Sequence, residues 1–90
     1  AAAIKLYYTL GLCCFLRGEF EESFSMFQKE FEMFESYTYL KEDPEFDFSK
    51  CLSNNCLLAL SLNKFETFNF YFDQLNEINA TFQILMYYCC

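Results

Sequence analysis

Residues 10–27, LGLCCFLRGEFEESFSMF, predict a helix, a tight turn and a second helix that returns along the first. Arg17 suits the negative end of a helix dipole, and Gly18 tolerates the left-handed conformation that closes a helix. Glutamates then occupy the first turn of the second helix, where the dipole favours acids. Bulky residues recur there every three or four positions, at Phe20, Phe24, Phe27, Phe31 and Phe34. The stretch therefore predicts the centre of an antiparallel helical hairpin spanning about residues 4–39.

The residues before the turn are apolar on nearly all sides. Residues 4–16 lack the strict alternation of a half-buried strand and are long for one, which favours a buried helix. Gly11 would allow another helix to approach closely. A strand remains the alternative, because tyrosine and phenylalanine favour strands in isolation.

A second hairpin is predicted after an acidic loop. Residues 40–48, LKEDPEFDF, contain the only proline, Pro44, and form the one clear break. Helices are expected at about residues 48–62 and 64–78, with Asn63 at the turn because asparagine is the next-best residue after glycine there. Asn79, Ala80 and Thr81 are interpreted as a weak joint, and residues 82–90 as the start of a fifth helix in a partial third unit, residues 80–90.

The two halves of the chain align with each other. Residues 14–27, CFLRGEFEESFSMF, correspond to residues 59–72, ALSLNKFETFNFYF, at an offset of 45 positions. Gly18 falls on Asn63 and Phe27 falls on Phe72. A hairpin of about 34 residues with the proline-containing loop as an insertion accounts for this offset.

The first half resembles the tetratricopeptide repeat. The motif calls for a large residue, a Leu-Gly pair, a turn glycine, a small residue and an aromatic residue. This chain has them, in that order, at Tyr7, Leu10, Gly11, Gly18, Ser23 and Phe27. Cys14 replaces an aromatic, Glu30 stands where alanine is usual, and Glu35 where proline is usual. In the second half Asn55 and Cys56 replace the Leu-Gly pair, and bulky Phe68 stands where a small residue is usual.

The resemblance implies an all-α protein of antiparallel helical hairpins stacked as an α-solenoid, with about four helices plus the start of a fifth. Residues 1–90 would then be one segment of a longer array. Another helical-repeat or bundle protein is the alternative, because generic hairpins imitate the motif. The resemblance also implies a non-catalytic scaffold for protein–protein interaction.

The aromatic content suggests surface that needs a partner. The chain has 13 Phe and 7 Tyr among 90 residues, and 54% of its residues are hydrophobic. So many large side chains exceed what one small core can cover. We therefore expect contacts with other subunits or flanking repeats. The alternative function is that of a small structural subunit in a large assembly, for which a position next to a membrane is left open. The chain begins AAA without Met, and these three alanines are open to doubt as genuine sequence.

The charge argues against two classes of partner. The net charge is −7, with one Arg and five Lys, so no basic surface is available for a phosphate backbone. The same charge disfavours an anionic membrane surface. No uninterrupted apolar run is long enough to span a bilayer, although residues 84–90, ILMYYCC, leave a membrane segment open at that end.

The six cysteines are interpreted as reduced thiols that pack like small hydrophobic residues. Disulfides are the alternative, but the adjacent pairs Cys13-Cys14 and Cys89-Cys90 suit them poorly in a helix. A zinc site needs four ligands, and Cys51 with Cys56 supplies two in a chain without histidine. The interpretation implies a reducing, intracellular compartment, with a cytoplasmic or cytoskeletal assembly favoured.

No catalytic, cofactor or metal site is predicted. A chain without histidine has no Ser-His-Asp or Cys-His triad, and two glycines do not make a phosphate-binding loop. The acidic pairs are typical of solvated faces. Asp43, Glu45 and Asp47 alternate like a calcium loop, but Pro44 interrupts them and the required glycine and distal glutamate are missing.

The predicted binding surface is the groove that first helices line in the resembled family. One branch of that family clamps a carboxylate with Lys and Asn, but Tyr8, Leu12, Ser53 and Leu57 occupy those positions here and supply neither. The residues predicted to contact a partner helix are instead apolar or aromatic, namely Tyr8, Leu12, Phe15 and Leu57. The alternative is that they pack against flanking repeats.

Overall fold

The computed structural model describes the backbone of residues 2–89 and the side chains of residues 3–81 and Ile84. Its four α-helices are α1 (Ala2–Leu16), α2 (Phe20–Ser36), α3 (Phe48–Ser61) and α4 (Phe65–Cys89), and a 3₁₀ helix, Thr38–Glu42, lies between α2 and α3. No strand occurs within residues 2–89, so the all-α prediction is confirmed there and the strand alternative for α1 is wrong.

The turn between α1 and α2 is closed as its sequence predicts. Gly18 has a φ of +78°. The backbone N–H of Glu19 donates to the carbonyl of Cys14 over 2.9 Å, and that of Gly18 to Phe15 over 3.0 Å. These bonds satisfy carbonyls that the end of a helix leaves without partners.

The turn between α3 and α4 repeats this arrangement 45 positions later. Asn63 has a φ of +59°. The N–H of Lys64 donates to the carbonyl of Ala59 over 2.8 Å, and that of Asn63 to Leu60 over 3.1 Å. The predicted equivalence of Gly18 and Asn63 is confirmed, because both residues adopt the left-handed conformation at matching hydrogen bonds.

Side chains at both ends of the acidic loop fix it to the rest of the structure. Leu40, in the 3₁₀ helix, is buried. Asp47 caps α3, since its Oδ1 accepts from the N–H of Lys50 over 3.0 Å. The predicted start of the third helix at residue 48 is therefore confirmed, and the break at Pro44 lies where it was expected.

Helices α1 and α2 approach each other closely at Gly11. A Cβ placed on Gly11 would lie 2.6 Å from Cε1 of the Phe27 ring, which is closer than side-chain carbons pack. Beside this contact, the buried Ser23 hydroxyl donates to the carbonyl of Gly11 over 2.7 Å. The residue without a side chain thus makes room for the ring, and the hydroxyl ties the two backbones together.

Phe31 of α2 joins the hairpins. Its ring centroid lies 6.2 Å from that of Phe48 on α3, 5.0 Å from Tyr71 on α4 and 5.9 Å from Phe70 on α4. Phe34 reaches the same Phe48 ring at 5.0 Å. These aromatic contacts therefore join α2 to the second hairpin, and α2 is packed on two sides.

The predicted fifth helix is wrong. Helix α4 continues without a break through Asn79, Ala80 and Thr81 to Cys89, so residues 80–89 do not begin a separate unit. This segment contains neither glycine nor proline, and alanine has the highest helix propensity, so nothing in it stops the helix. Cys90 lies outside the described residues.

Replacing Gly11 with Ala should destabilise the protein by about 1–3 kcal/mol, because the added methyl would force the buried Phe27 ring from its place. Urea unfolding followed by circular dichroism measures the change. Gly18→Asn is the matched control, since Asn63 adopts the same backbone conformation in the second turn. Equal stability of the Gly11→Ala variant and wild type would contradict the close packing.

Candidate functional site

The structure separates the four residues predicted to bind a partner into two pairs. Tyr8 and Phe15 are half-buried and pack against the core. Leu12 and Leu57 remain 37% and 49% exposed. The two leucines occupy equivalent positions of α1 and α3 and are the open apolar surface of the set.

Tyr8 and Phe15 have contacts within the chain. The Nζ of Lys50, on α3, lies 5.2 Å from the centroid of the Tyr8 ring, and the Phe27 ring lies 6.4 Å away on the other helix. Phe15 packs against Phe20 at 5.4 Å across the first turn. Both aromatic residues therefore make contacts that stabilise the fold.

A buried polar cluster lies between α2 and α3. Glu30 is 5% exposed, and its Oε1 has no hydrogen-bond partner among the described residues. Asn55 of α3 is fully buried, and its Nδ2 donates to the carbonyls of Phe27 and Cys51 over 3.2 and 2.9 Å. Asn55 thus bonds α3 directly to the backbone of α2, while Glu30 Oε1 and Asn55 Oδ1 are buried without a partner among the described residues.

Burial changes the acidity of this cluster. Loss of solvation raises the pKa of Glu30 to about 7, Asp47 acts in the same direction, and the adjacent Cys51 thiol opposes the shift. Burial also raises the pKa of the Cys51 thiol well above its usual range. Cys51 is therefore a protonated packing residue rather than a nucleophile.

Sequence reasoning does not identify this burial of Glu30. One signal was available, because Glu30 occupies the alanine position of the resembled motif and lies on the helix face between Phe27 and Phe31. A charged residue at that point has two possible outcomes. It is buried at a cost in desolvation energy, or it stays in solvent and interrupts the apolar stripe. The structure shows that it is buried.

Two cavities lie near the acidic loop. The smaller, of about 210 Å³, reaches Glu30 and is walled by Tyr8, Phe46 and Lys50 among others. Lys5 and Glu45, which form an ion pair, also line it. The larger is an open cleft of about 600 Å³ between the loop, the start of α3 and the middle of α4.

A thiol and two carboxylates meet at the first turn. The ligand atoms of Cys14, Glu19 and Glu22 lie within 4.8 Å of one another on the surface. Hydrogen bonding and repulsion from Glu19 raise the pKa of Glu22. Exposed acidic groups at the start of a helix are common without a metal, and these contacts are accounted for by the helix dipole of α2.

Helices α2 and α4, the second helices of the two hairpins, differ in the residues of one face. On α2 this face packs against the second hairpin. On α2 this face is a phenylalanine ridge of Phe24, Phe31 and Phe34, which is buried. At the equivalent positions α4 carries Asn69, Asn76 and Asn79, which are exposed. Phe72, equivalent to Phe27, keeps its aromatic ring. Helix α4 therefore lacks three of the phenylalanines that α2 carries, and Phe65 and Phe72 on the same face are 57% and 41% exposed.

The first helices differ in the opposite sense. Residues of α3 that are buried in the chain are Cys51, Asn55 and Leu58. Their equivalents on α1 form an exposed leucine face of Leu6, Leu10 and Cys13. Leu6 is 56% and Leu10 39% exposed. Helix α1 thus exposes an apolar face to solvent, whereas the equivalent face of α3 is buried.

Comparisons with known proteins find no matching family model, no matching curated protein and no matching solved structure. Within the part of the chain that the structure describes, none of the helices combines the length and apolar character needed to cross a membrane.

Replacing Glu30 with Gln should remove a pH dependence of stability. The pKa of Glu30 is about 7 in the folded protein and about 4.5 ordinarily, so the folded state binds more protons between these values. The contribution of Glu30 is therefore most favourable below pH 4.5 and is lost as the pH rises through 7. We expect wild type to lose about 3 kcal/mol relative to Glu30→Gln between pH 4.5 and pH 8.

Urea unfolding of both proteins at several pH values measures this difference. Glu32→Gln, on the exposed side of the same helix, controls for the loss of one acidic side chain. A stability difference between wild type and Glu30→Gln that stays constant with pH would contradict the buried ionisation.

Proposed function

We propose that this chain is a non-catalytic protein–protein interaction scaffold, built from tetratricopeptide-like helical hairpins stacked as an α-solenoid. It binds a partner helix or a neighbouring subunit through apolar and aromatic surface. The partners are other proteins or flanking repeats, with no role for nucleic acid, cofactor or metal.

The contact of Gly11, Ser23 and Phe27 carries this proposal. These residues stand at the glycine, small-residue and aromatic positions of the motif. In the hairpin they form one contact, with Gly11 against the Phe27 ring and the Ser23 hydroxyl on the Gly11 carbonyl. A generic hairpin has no need of these three residue types at one crossing. The matching hydrogen bonds of the two turns, 45 positions apart, are independent support for a repeat.

The binding groove of the proposal is centred on Leu12 and Leu57. They are the exposed members of the predicted set and lie at equivalent positions of α1 and α3. Tyr8 and Phe15 border them and are held by the core. Apolar side chains on two first helices suit the apolar stripe of an amphipathic partner helix.

A second candidate is a structural subunit of a large assembly. Large exposed side chains favour it, since Leu16 is 83% and Phe65 57% exposed. The two functions share a reducing compartment, which is supported by free thiols at Cys51 and Cys56 packed inside the protein. The two functions differ in how much of the surface contacts partners: one groove in the scaffold, and most of the surface in the structural subunit.

Photo-crosslinking in the native cell distinguishes these functions. A photoreactive amino acid at position 12 or 57 should yield a discrete cross-linked protein, whereas one at Glu32 or Glu66, both exposed on second helices, should not. Equal cross-linking from all four positions would favour the structural subunit. No cross-linked product from position 12 or 57 would reject the groove.

A further inference from the structure

We propose that the smaller cavity, which is lined by residues of α1, α2, the acidic loop and α3, binds a primary ammonium group on a short carbon stem. Glu30 holds this group through the carboxyl oxygen that the fold leaves without a partner among the described residues. The ligand is a free monoamine or the side chain of a lysine. The site is separate from the proposed function, because Tyr8 alone is shared with the predicted groove.

The cavity has an exposed rim and a buried floor. Lys5 and Glu45 form their ion pair at the rim, where each side chain is 59% exposed. Ile4 and Glu30 are the buried residues of the lining. The volume is about 210 Å³, whereas sites for drug-sized ligands begin at about 300 Å³. The space therefore suits one charged group with a short stem.

Glu30 brings one unused acceptor to this lining. The Cys51 thiol bonds to its carboxyl group, and Oε1 is the oxygen that is buried without a partner among the described residues. A buried carboxylate oxygen without a hydrogen-bond donor is unfavourable, so a ligand that donates would complete the site. One free oxygen accepts one N–H. An ammonium group makes that contact as a point charge, whereas the fork of a guanidinium group needs both oxygens.

The two lysines beside the cavity are engaged elsewhere. The Nζ of Lys50 lies 5.2 Å from the centroid of the Tyr8 ring. The Nζ of Lys5 lies 5.6 Å from the centroid of the Phe46 ring and belongs to the ion pair at the rim. Neither ammonium group donates to the unused carboxyl oxygen. The missing donor is therefore assigned to a ligand.

The charges around the cavity leave room for one cation. The lining contains three carboxyl groups and two lysines, namely Glu30, Glu45, Asp47, Lys5 and Lys50. When Glu30 is ionised, one negative charge is unbalanced, and a single monocation neutralises it. An anion or a dication would leave the lining charged. Ile4 and Phe46 supply apolar surface for the carbon stem of the ligand.

Binding is coupled to the release of a proton. Burial raises the pKa of Glu30 to about 7, Asp47 adds to the rise, and Cys51 and Lys50 oppose it. The other titratable groups of the lining are Tyr8, Lys5 and Glu45. The ammonium group pairs with the ionised carboxylate, so the proton of a neutral Glu30 passes to solvent. Affinity should therefore rise about fiftyfold between pH 5 and pH 7, and by no more than about twofold above pH 7.

The first test is an NMR titration of the full 90-residue chain with butylammonium, which stays charged up to about pH 10. At about ten times the dissociation constant of the probe, the pKa of Glu30, followed through its carboxyl carbon, should fall by about one. Tetramethylammonium has the same charge but no N–H, so it should leave this pKa unchanged. An unchanged pKa with butylammonium would overturn the proposal.

Variants of two acidic residues on α2 assign the contact. Glu30→Gln keeps the shape of the side chain without its charge, and it should weaken butylammonium binding by about tenfold or more. Glu32→Gln, on the exposed side of the same helix, is the matched control and should leave the affinity unchanged. Equal affinity of wild type and Glu30→Gln would contradict a site at this carboxylate.

A variant of Lys50 tests whether the protein supplies its own cation. Lys50 is the positive charge that acts on Glu30. Removing it by Lys50→Gln should strengthen butylammonium binding by about twofold or more. Binding to Lys50→Gln with none to wild type would show that Lys50 itself satisfies the carboxylate, and the ligand site would be rejected.

Two further probes define the ligand. Methylguanidinium should bind more weakly than butylammonium, and a preference for it would overturn the assignment to an ammonium group. Butylammonium has the carbons and the nitrogen of a lysine side chain, so lysine with both backbone ends blocked presents the same group on a peptide backbone. Equal or tighter binding of blocked lysine supports the site with a partner's lysine as its ligand. Binding of butylammonium alone supports the site with a free amine as its ligand.

Discussion

The close approach of Gly11 to the ring of Phe27 is the contact on which the remaining structure depends. It places α1 against α2 at a distance that no larger residue permits, and the Ser23 hydroxyl holds that position by bonding to the Gly11 carbonyl. With α1 on one side, the other side of α2 is free to receive α3. Phe31 and Phe48 then meet across that second boundary, so the joint between hairpins is built on the contact within the first hairpin.

Local chemistry made the turns and the hairpin contact predictable. Gly18 and Asn63 were identified because few residues tolerate the left-handed conformation, and Phe27 because its spacing matched a motif. The joint at Asn79 was predicted wrongly because weak helix formers alone do not end a helix, and no glycine or proline stands there to stop α4. The burial of Glu30 was not predictable either, because the neighbouring helix that desolvates it is remote in sequence.

The exposure of the residues predicted to bind a partner could be foreseen only in part for the same reason. Equivalent positions of a repeat share a face, and Leu12 and Leu57, which are equivalent, are both exposed. Whether Tyr8 is open or covered depends on Lys50, which lies on another helix and reaches its ring. Two equivalent residues are therefore equally exposed only where the helices packed around them are equivalent too. This condition fails at α1 and α4, the first and last helices described.

The two short turns also bear on how the chain folds. Each joins its helices through three residues, 17–19 or 62–64, and is closed by hydrogen bonds to the end of the preceding helix. Short loops cost little entropy to close, and contacts local in sequence form fastest. We expect each hairpin to assemble separately, with the meeting of Phe31 and Tyr71 as the later step. The speed of folding is then set by the search of one preformed half for the other.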